Sequence, residues 1–118
     1  MGRSYRELIA WQKAMKLVTE IYAVTQRFPS EERYGLTNQL RRAAVSVPSN
    51  IAEGQAHHSH REFLHFLRHS AGSLAEVETQ LLIAERIGYI DHSATEPLIN
   101  KVHEVGRILN GLVASLRE

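Results

Sequence analysis

The feature that most constrains this chain is the spacing of its apolar residues, which recur at helical period in four successive segments. The second segment carries Leu36, Leu40, Ala43, Ala44, Val47 and Ile51 on one face, and the period passes through Pro48 without a phase slip. A proline inside such a run removes one backbone hydrogen bond, here the one to the Ala44 carbonyl, at about 3 kcal/mol. The spacing therefore predicts a single helix over 36–53, kinked at Pro48, with a hydroxyl or a water meeting the freed carbonyl. Gly54 is expected in the left-handed position just past its end, with residues 55–58 as a short connection.

The first segment predicts a helix over 6–27. Its stripe is Leu8, Trp11, Met15, Val18, Ile21 and Tyr22, continued by Thr25, with Lys13, Lys16 and Glu20 opposite. Trp11, the only tryptophan, is expected to anchor the core. Phe28-Pro29 closes this helix and Gly35 marks the turn into the next.

Ser59 and Glu62 have the capping-box spacing, and a helix over 60–87 follows. Its main stripe is Phe63, Phe66, Leu67, Ser70, Leu74, Val77, Leu81 and Ala84. Leu64, Ala71, Ala75 and Leu82 form a second stripe about a quarter-turn away. Gly88 ends this helix. Ser93 and Glu96 repeat the capping-box spacing before a helix over 94–116, which carries Leu98, Val102, Val105, Leu109, Leu112 and Leu116. Gly106 and Gly111 weaken it by about 1 kcal/mol each relative to alanine. No strand pattern occurs. The expected fold is all-α: one domain over 1–118, an antiparallel up-down-up-down four-helix bundle.

Composition narrows the chemistry. Apolar residues make up 43% of 118, enough for a core, and the net charge is +1. Any affinity for nucleic acid must therefore come from a local patch. The absence of cysteine excludes disulfides, thiolate metal sites and a cysteine nucleophile. The polar N-terminus does not read as a signal peptide, and no apolar run approaches the roughly 20 residues of a membrane span. Met1-Gly2 opens like a myristoylation site, but Arg6 stands where that motif needs Ser or Thr. A cytoplasmic location is expected.

Five of the seven histidines lie between His57 and His69. His65 and His69 are one turn apart, and Glu62-x-x-His65 matches half of a carboxylate di-metal motif. No second Glu-x-x-His exists, and His65 lies nearly opposite the core stripe, where inward ligation fails. The expectation is solvent-exposed histidines and no bound metal. Ser46, Ser49, Ser70 and Ser73 lack the base and orienting acid of a nucleophilic triad. Neither Gly-x-x-x-x-Gly-Lys nor Gly-x-Gly-x-x-Gly is present. The chain reads as a non-enzyme without a cofactor.

Basic residues off the apolar stripes are the candidates for phosphate contact: Lys13, Lys16, Arg41, Arg42, Arg61, His65 and Arg68. Glu53, Glu62 and Glu76 interleave with them, so a solvated face is the competing interpretation. A second apolar stripe on a helix that has already supplied one core face must cover something else. With the mid-helix Gly72, which suits a close backbone approach, it points to packing between subunits. Leu64, Ala71, Gly72, Ala75 and Leu82 are the candidate interface. Asn50 flanks the core stripe and Glu53 faces away from it, and both join the set.

Several motifs resemble a known bacterial family, the four-helix bundle proteins associated with intervening sequences of the 23S rRNA gene. They are Tyr5-x-x-Leu8-x-x-Trp11-x-x-Ala14 and Phe28-Pro29-x-x-Glu32-x-x-Gly35-Leu36, followed by Gln39-x-x-Arg42-Ala43-Ala44-x-Ser46-Val47-Pro48-x-Asn50-Ile51-Ala52-Glu53-Gly54. Glu62-Phe63-x-x-Phe66-Leu67, Ala71-Gly72-Ser73-x-x-Glu76 and Gly88-Tyr89 complete the set. The resemblance implies a four-helix bundle that assembles as a homopentamer. The family is also similar to the accessory variability protein of diversity-generating retroelements, a basic pentamer that binds nucleic acid and a reverse transcriptase. The implied partners are copies of the chain itself, RNA or DNA, and a reverse transcriptase or another protein. The near-neutral charge departs from that strongly basic relative. No catalytic residue is implied.

Overall fold

A computed structural model describes residues 4–117; residues 1–3 and 118, and with them Met1-Gly2, lie outside the described residues. Four helices make up the bundle: α1 (Ile9–Thr25), α2 (Leu36–Ala56), α3 (His60–Arg86) and α4 (His92–Leu116). Single 3-10 turns stand at Tyr5–Glu7 and Ser30–Glu32. No strand occurs among the described residues. The 27 residues of α3 span about 40 Å at 1.5 Å each, close to the 45 Å long axis of the molecule. Joined by short turns, the helices therefore run antiparallel along that axis. Each packs on its chain neighbours, α4 closes back onto α1, and the backbones of the diagonal pairs stay apart. A single core runs the length of the bundle.

The helix ends follow local chemistry. Ser59 accepts the Glu62 amide at 3.3 Å to start α3. At its other end Gly88 takes φ 86°. The Tyr89 amide reaches the Ala84 carbonyl and the Gly88 amide reaches that of Glu85, a Schellman ending. Helix α4 starts two residues before the expected boundary because Asp91 is its cap. One Asp91 oxygen accepts both the Ala94 amide (3.0 Å) and the Ser93 hydroxyl (2.8 Å), and these bonds hold its carboxyl below the ordinary range.

Three expectations need correction. Helix α1 begins at Ile9, not at residue 6, because Leu8 is extended (φ −76°, ψ 127°) between the 3-10 turn and the helix. Its buried face is Ala10, Ala14, Leu17, Ile21, Val24 and Thr25, which keeps Ile21 and Thr25 of the expected stripe and is centred about one residue round from it. Trp11 is half-buried, packed against the core and edge-on to Tyr5 at 5.3 Å, while Met15 and Tyr22 remain 40% and 41% exposed. The alanines face inward because they let α1 sit close to its neighbours, and the bulkier residues are left to flank the contact. Third, Gly54 lies inside α2, which runs to Ala56. Its missing side chain makes room for α3: a Cβ there would lie 2.8 Å from the Phe66 Cβ and 3.0 Å from Phe63 Cδ1. The left-handed residue beyond α2 is His58, at φ 56°.

Pro48 is buried and α2 continues through it. The hydroxyl at this point, Ser70 Oγ, donates to the Val47 carbonyl at 2.8 Å and not to that of Ala44. Small residues hold α2 and α3 together beside it. Ser46 and Ser73 share a 2.8 Å hydrogen bond, and the Asn50 amide donates to both the Ser46 carbonyl and its hydroxyl, each at 2.8 Å.

Candidate nucleic-acid interface

The seven basic candidates fall on three separate faces. Arg61, His65 and Arg68 share the outward face of α3 and, with His69, Gly72, Ser73 and Glu76, line an open groove of about 570 Å³. Residues at these spacings recur about once per helical turn, which produces the alignment. Arg42 borders an adjoining groove between α2 and α3 that shares Ser73 and Glu76 with the first. The two form one continuous surface. Among the described residues, Arg42, Arg61 and Arg68 take part in no ion pair.

Arg41 is elsewhere, at the junction of α1 and α2. Its guanidinium stands 4.5 Å from the Tyr22 ring centre, and Nε donates to Thr25 Oγ1 at 2.8 Å. Those contacts commit it to holding two helices together. Lys13 and Lys16 lie at the α1–α4 seam with Glu20, Lys101 and Glu104. Lys13 pairs with Glu104 at 3.2 Å, and Lys101 with Glu20. The acids there offset the cations, so this face is a weak attractor for phosphate. Sequence spacing separates core from outside but does not say which neighbouring helix an outward residue meets.

A ring cluster beside the α3 groove escaped the sequence reading. His57, at the end of α2, stacks on Phe66 with centroids 5.3 Å apart and planes at 10°. His65 meets the edge of Phe66 at 5.1 Å and the edge of His69 at 4.7 Å. The density of histidines over 57–69 was the available signal; the contact with Phe66, expected in the core but half-buried, was not. Among the described residues no three His, Cys, Asp or Glu side chains converge as metal ligands.

The interface candidates also divide. Ala71 and Ala75 line an open groove between α3 and α4 together with Val102 and Gly106. Leu82 continues that flank at 42% exposure, and Leu64 on it is half-buried. Gly72 lies on the basic groove instead, with nothing within 4 Å of its would-be Cβ. Glu53 is exposed and Asn50 half-buried, its amide occupied by Ser46. On the opposite side of the bundle, Met15, Tyr22 and Val45 are exposed, with Trp11 and Val18 half-buried beside them. No described helix is long and apolar enough to cross a membrane.

Comparison with known proteins agrees with this architecture. A crystal structure of a protein of unknown function from the S23 ribosomal protein family of Bacteroides thetaiotaomicron VPI-5482 superposes with a TM-score of 0.83. The two are 20% identical over 90% of this chain and 96% of the other, a likeness of fold. No curated protein matches the chain. Residues 6–111 match the family described as 23S rRNA-intervening sequence protein, and with the motifs and four-helix bundle now in place, the chain belongs to that family.

Proposed function

We propose that this is a non-enzymatic helical-bundle protein that assembles with copies of itself and contacts RNA or DNA through the α2–α3 face. The observation that carries the proposal is the set of arginines without ion-pair partners, Arg42, Arg61 and Arg68, along one continuous open surface with His65. Such groups neutralise phosphates and release counterions. Arg41 and Lys13 have no part in it, because partners within the bundle already occupy them, and Lys16 sits among the acids of the α1–α4 seam. The expected setting is cytoplasmic. The test is an oligonucleotide titration at two salt concentrations. Replacing Arg42, Arg61 and Arg68 by glutamine should weaken binding and flatten the salt dependence, whereas Lys13→Gln/Lys16→Gln should leave both unchanged. Equal affinity of the arginine variant and the parent at low salt would refute the assignment.

Self-assembly is supported by two exposed apolar flanks on opposite sides of one bundle, Met15/Tyr22/Val45 and Ala75/Leu82. Two different surfaces that meet head to tail generate a ring when the rotation closes. The number five comes from the family resemblance. Ala75→Glu or Leu82→Glu should lower the mass seen by light scattering with helical content retained, and a monomeric parent protein would end the proposal. The same flanks favour a second reading, a module that binds a reverse transcriptase or other protein without nucleic acid. Under that reading the arginine variant keeps its partner and the Leu82→Glu variant loses it.

A further inference from the structure

We infer that the α3 groove selects single-stranded over duplex nucleic acid, with an unpaired base stacked on His57. The inference rests on the nucleic-acid reading above and names its substrate class. Four rings form a contiguous set at the end of α2 and along α3: His57 lies nearly parallel to Phe66, and Phe66 touches His65 and His69. His57 is exposed and only one face of its ring is used by Phe66, so the other is free to take a planar base. Arg61 and Arg68 line one groove with His65 and His69, the outer two rings of the set, and a cationic track next to stacking rings is the arrangement that holds single strands without regard to sequence.

The acidic residues fix the strand's orientation. On the α3 surface, Arg61 and Arg68 form one edge, His65, His69 and Glu76 the middle, and Glu62 the edge toward α2. Carboxylates repel phosphates, so the backbone follows the arginine edge and the bases turn toward the rings. Paired bases inside a duplex cannot present a free face to His57.

The experiment is fluorescence anisotropy at low salt, with a labelled thymidine oligonucleotide and a duplex of equal length. The intact protein should bind the single strand roughly tenfold more tightly, the scale of one stacked base. His57→Ala, an exposed helix-end change, should remove that preference and leave duplex affinity unchanged. His57→Phe should restore it, because a stacking face and not a charge is required. Equal affinity for the two oligonucleotides, an unaltered preference in His57→Ala, or no restoration by phenylalanine overturns the inference. The nucleic-acid reading survives those outcomes if Arg61→Gln/Arg68→Gln still weakens both oligonucleotides. Absence of binding to either one overturns both.

Discussion

Gly54 and Phe66 meet so closely across the α2–α3 seam that a Cβ on the glycine would lie 2.8 Å from the Phe66 Cβ. Phe63 closes the other side at 3.0 Å. Gly54→Ala should therefore destabilise the bundle by about 1–3 kcal/mol, the usual cost of overpacking, despite alanine's better helix propensity. Gly72, also mid-helix, meets nothing within 4 Å. Gly72→Ala should stabilise the isolated chain by up to about 1 kcal/mol. Urea unfolding of the two variants separates the roles: opposite signs are expected.

The Tyr89 hydroxyl donates to Glu32 Oε2 at 2.6 Å, and the other Glu32 oxygen accepts the Leu36 amide at 2.9 Å. The carboxylate thereby closes the start of α2 and ties it to the α3–α4 turn. Gly35 has no side chain because that carboxylate passes 2.6 Å from its would-be Cβ. The tyrosine bond, then the amide bond, hold Glu32 below its ordinary 4.5, so its contribution is full above that value and fades as pH falls through the lowered one. Glu32 in turn pushes Tyr89 above its ordinary 10.0. That contribution is present below pH 10.0 and lost as pH rises through the higher value. Tyr89→Phe should flatten both limbs of a plot of Tm against pH, most visibly the acid one. Unchanged limbs would show that the bond does not form in solution.

Ser70 is fully buried with its hydroxyl on the Val47 carbonyl. Ser70→Ala should cost about 1 kcal/mol, the net worth of one such bond. Ser70→Val should cost more, because the small side chain lets α2 and α3 approach here. Thermal unfolding of the pair measures the difference.

Pro48→Ala restores an amide opposite the Ala44 carbonyl and removes part of a buried ring. Helix propensity gains about 3 kcal/mol, while the lost ring carbons cost about 0.8 kcal/mol each. The net expectation is a chain of equal or slightly greater stability whose assembly changes if Pro48 shapes α2 to fit its neighbours. Light scattering together with circular dichroism checks this; unchanged mass and stability would tell against a shaping role.

The four helices, their chain order, the glycine ending at Gly88 and the cap at Ser59 all follow from period and local chemistry, which is why the sequence determines them alone. Motifs such as Arg42–Gly54 place the chain in its family for the same local reason. What only the tertiary structure decides is how each face is used. Helical period places Trp11, Met15 and Tyr22 beside Ala10, Ala14 and Leu17, but only the distance to neighbouring helices selects the alanines for the core. Gly54 reads as a helix ending until α3 is present to press against it. The basic residues look like one set along the chain and are three in space. Arg41 and Lys13 meet partners brought up by other helices and Lys16 lies in the α1–α4 seam, while Arg42, Arg61 and Arg68 face outward. Side-chain spacing specifies an angle about one helix axis; the company found at that angle depends on packing between helices.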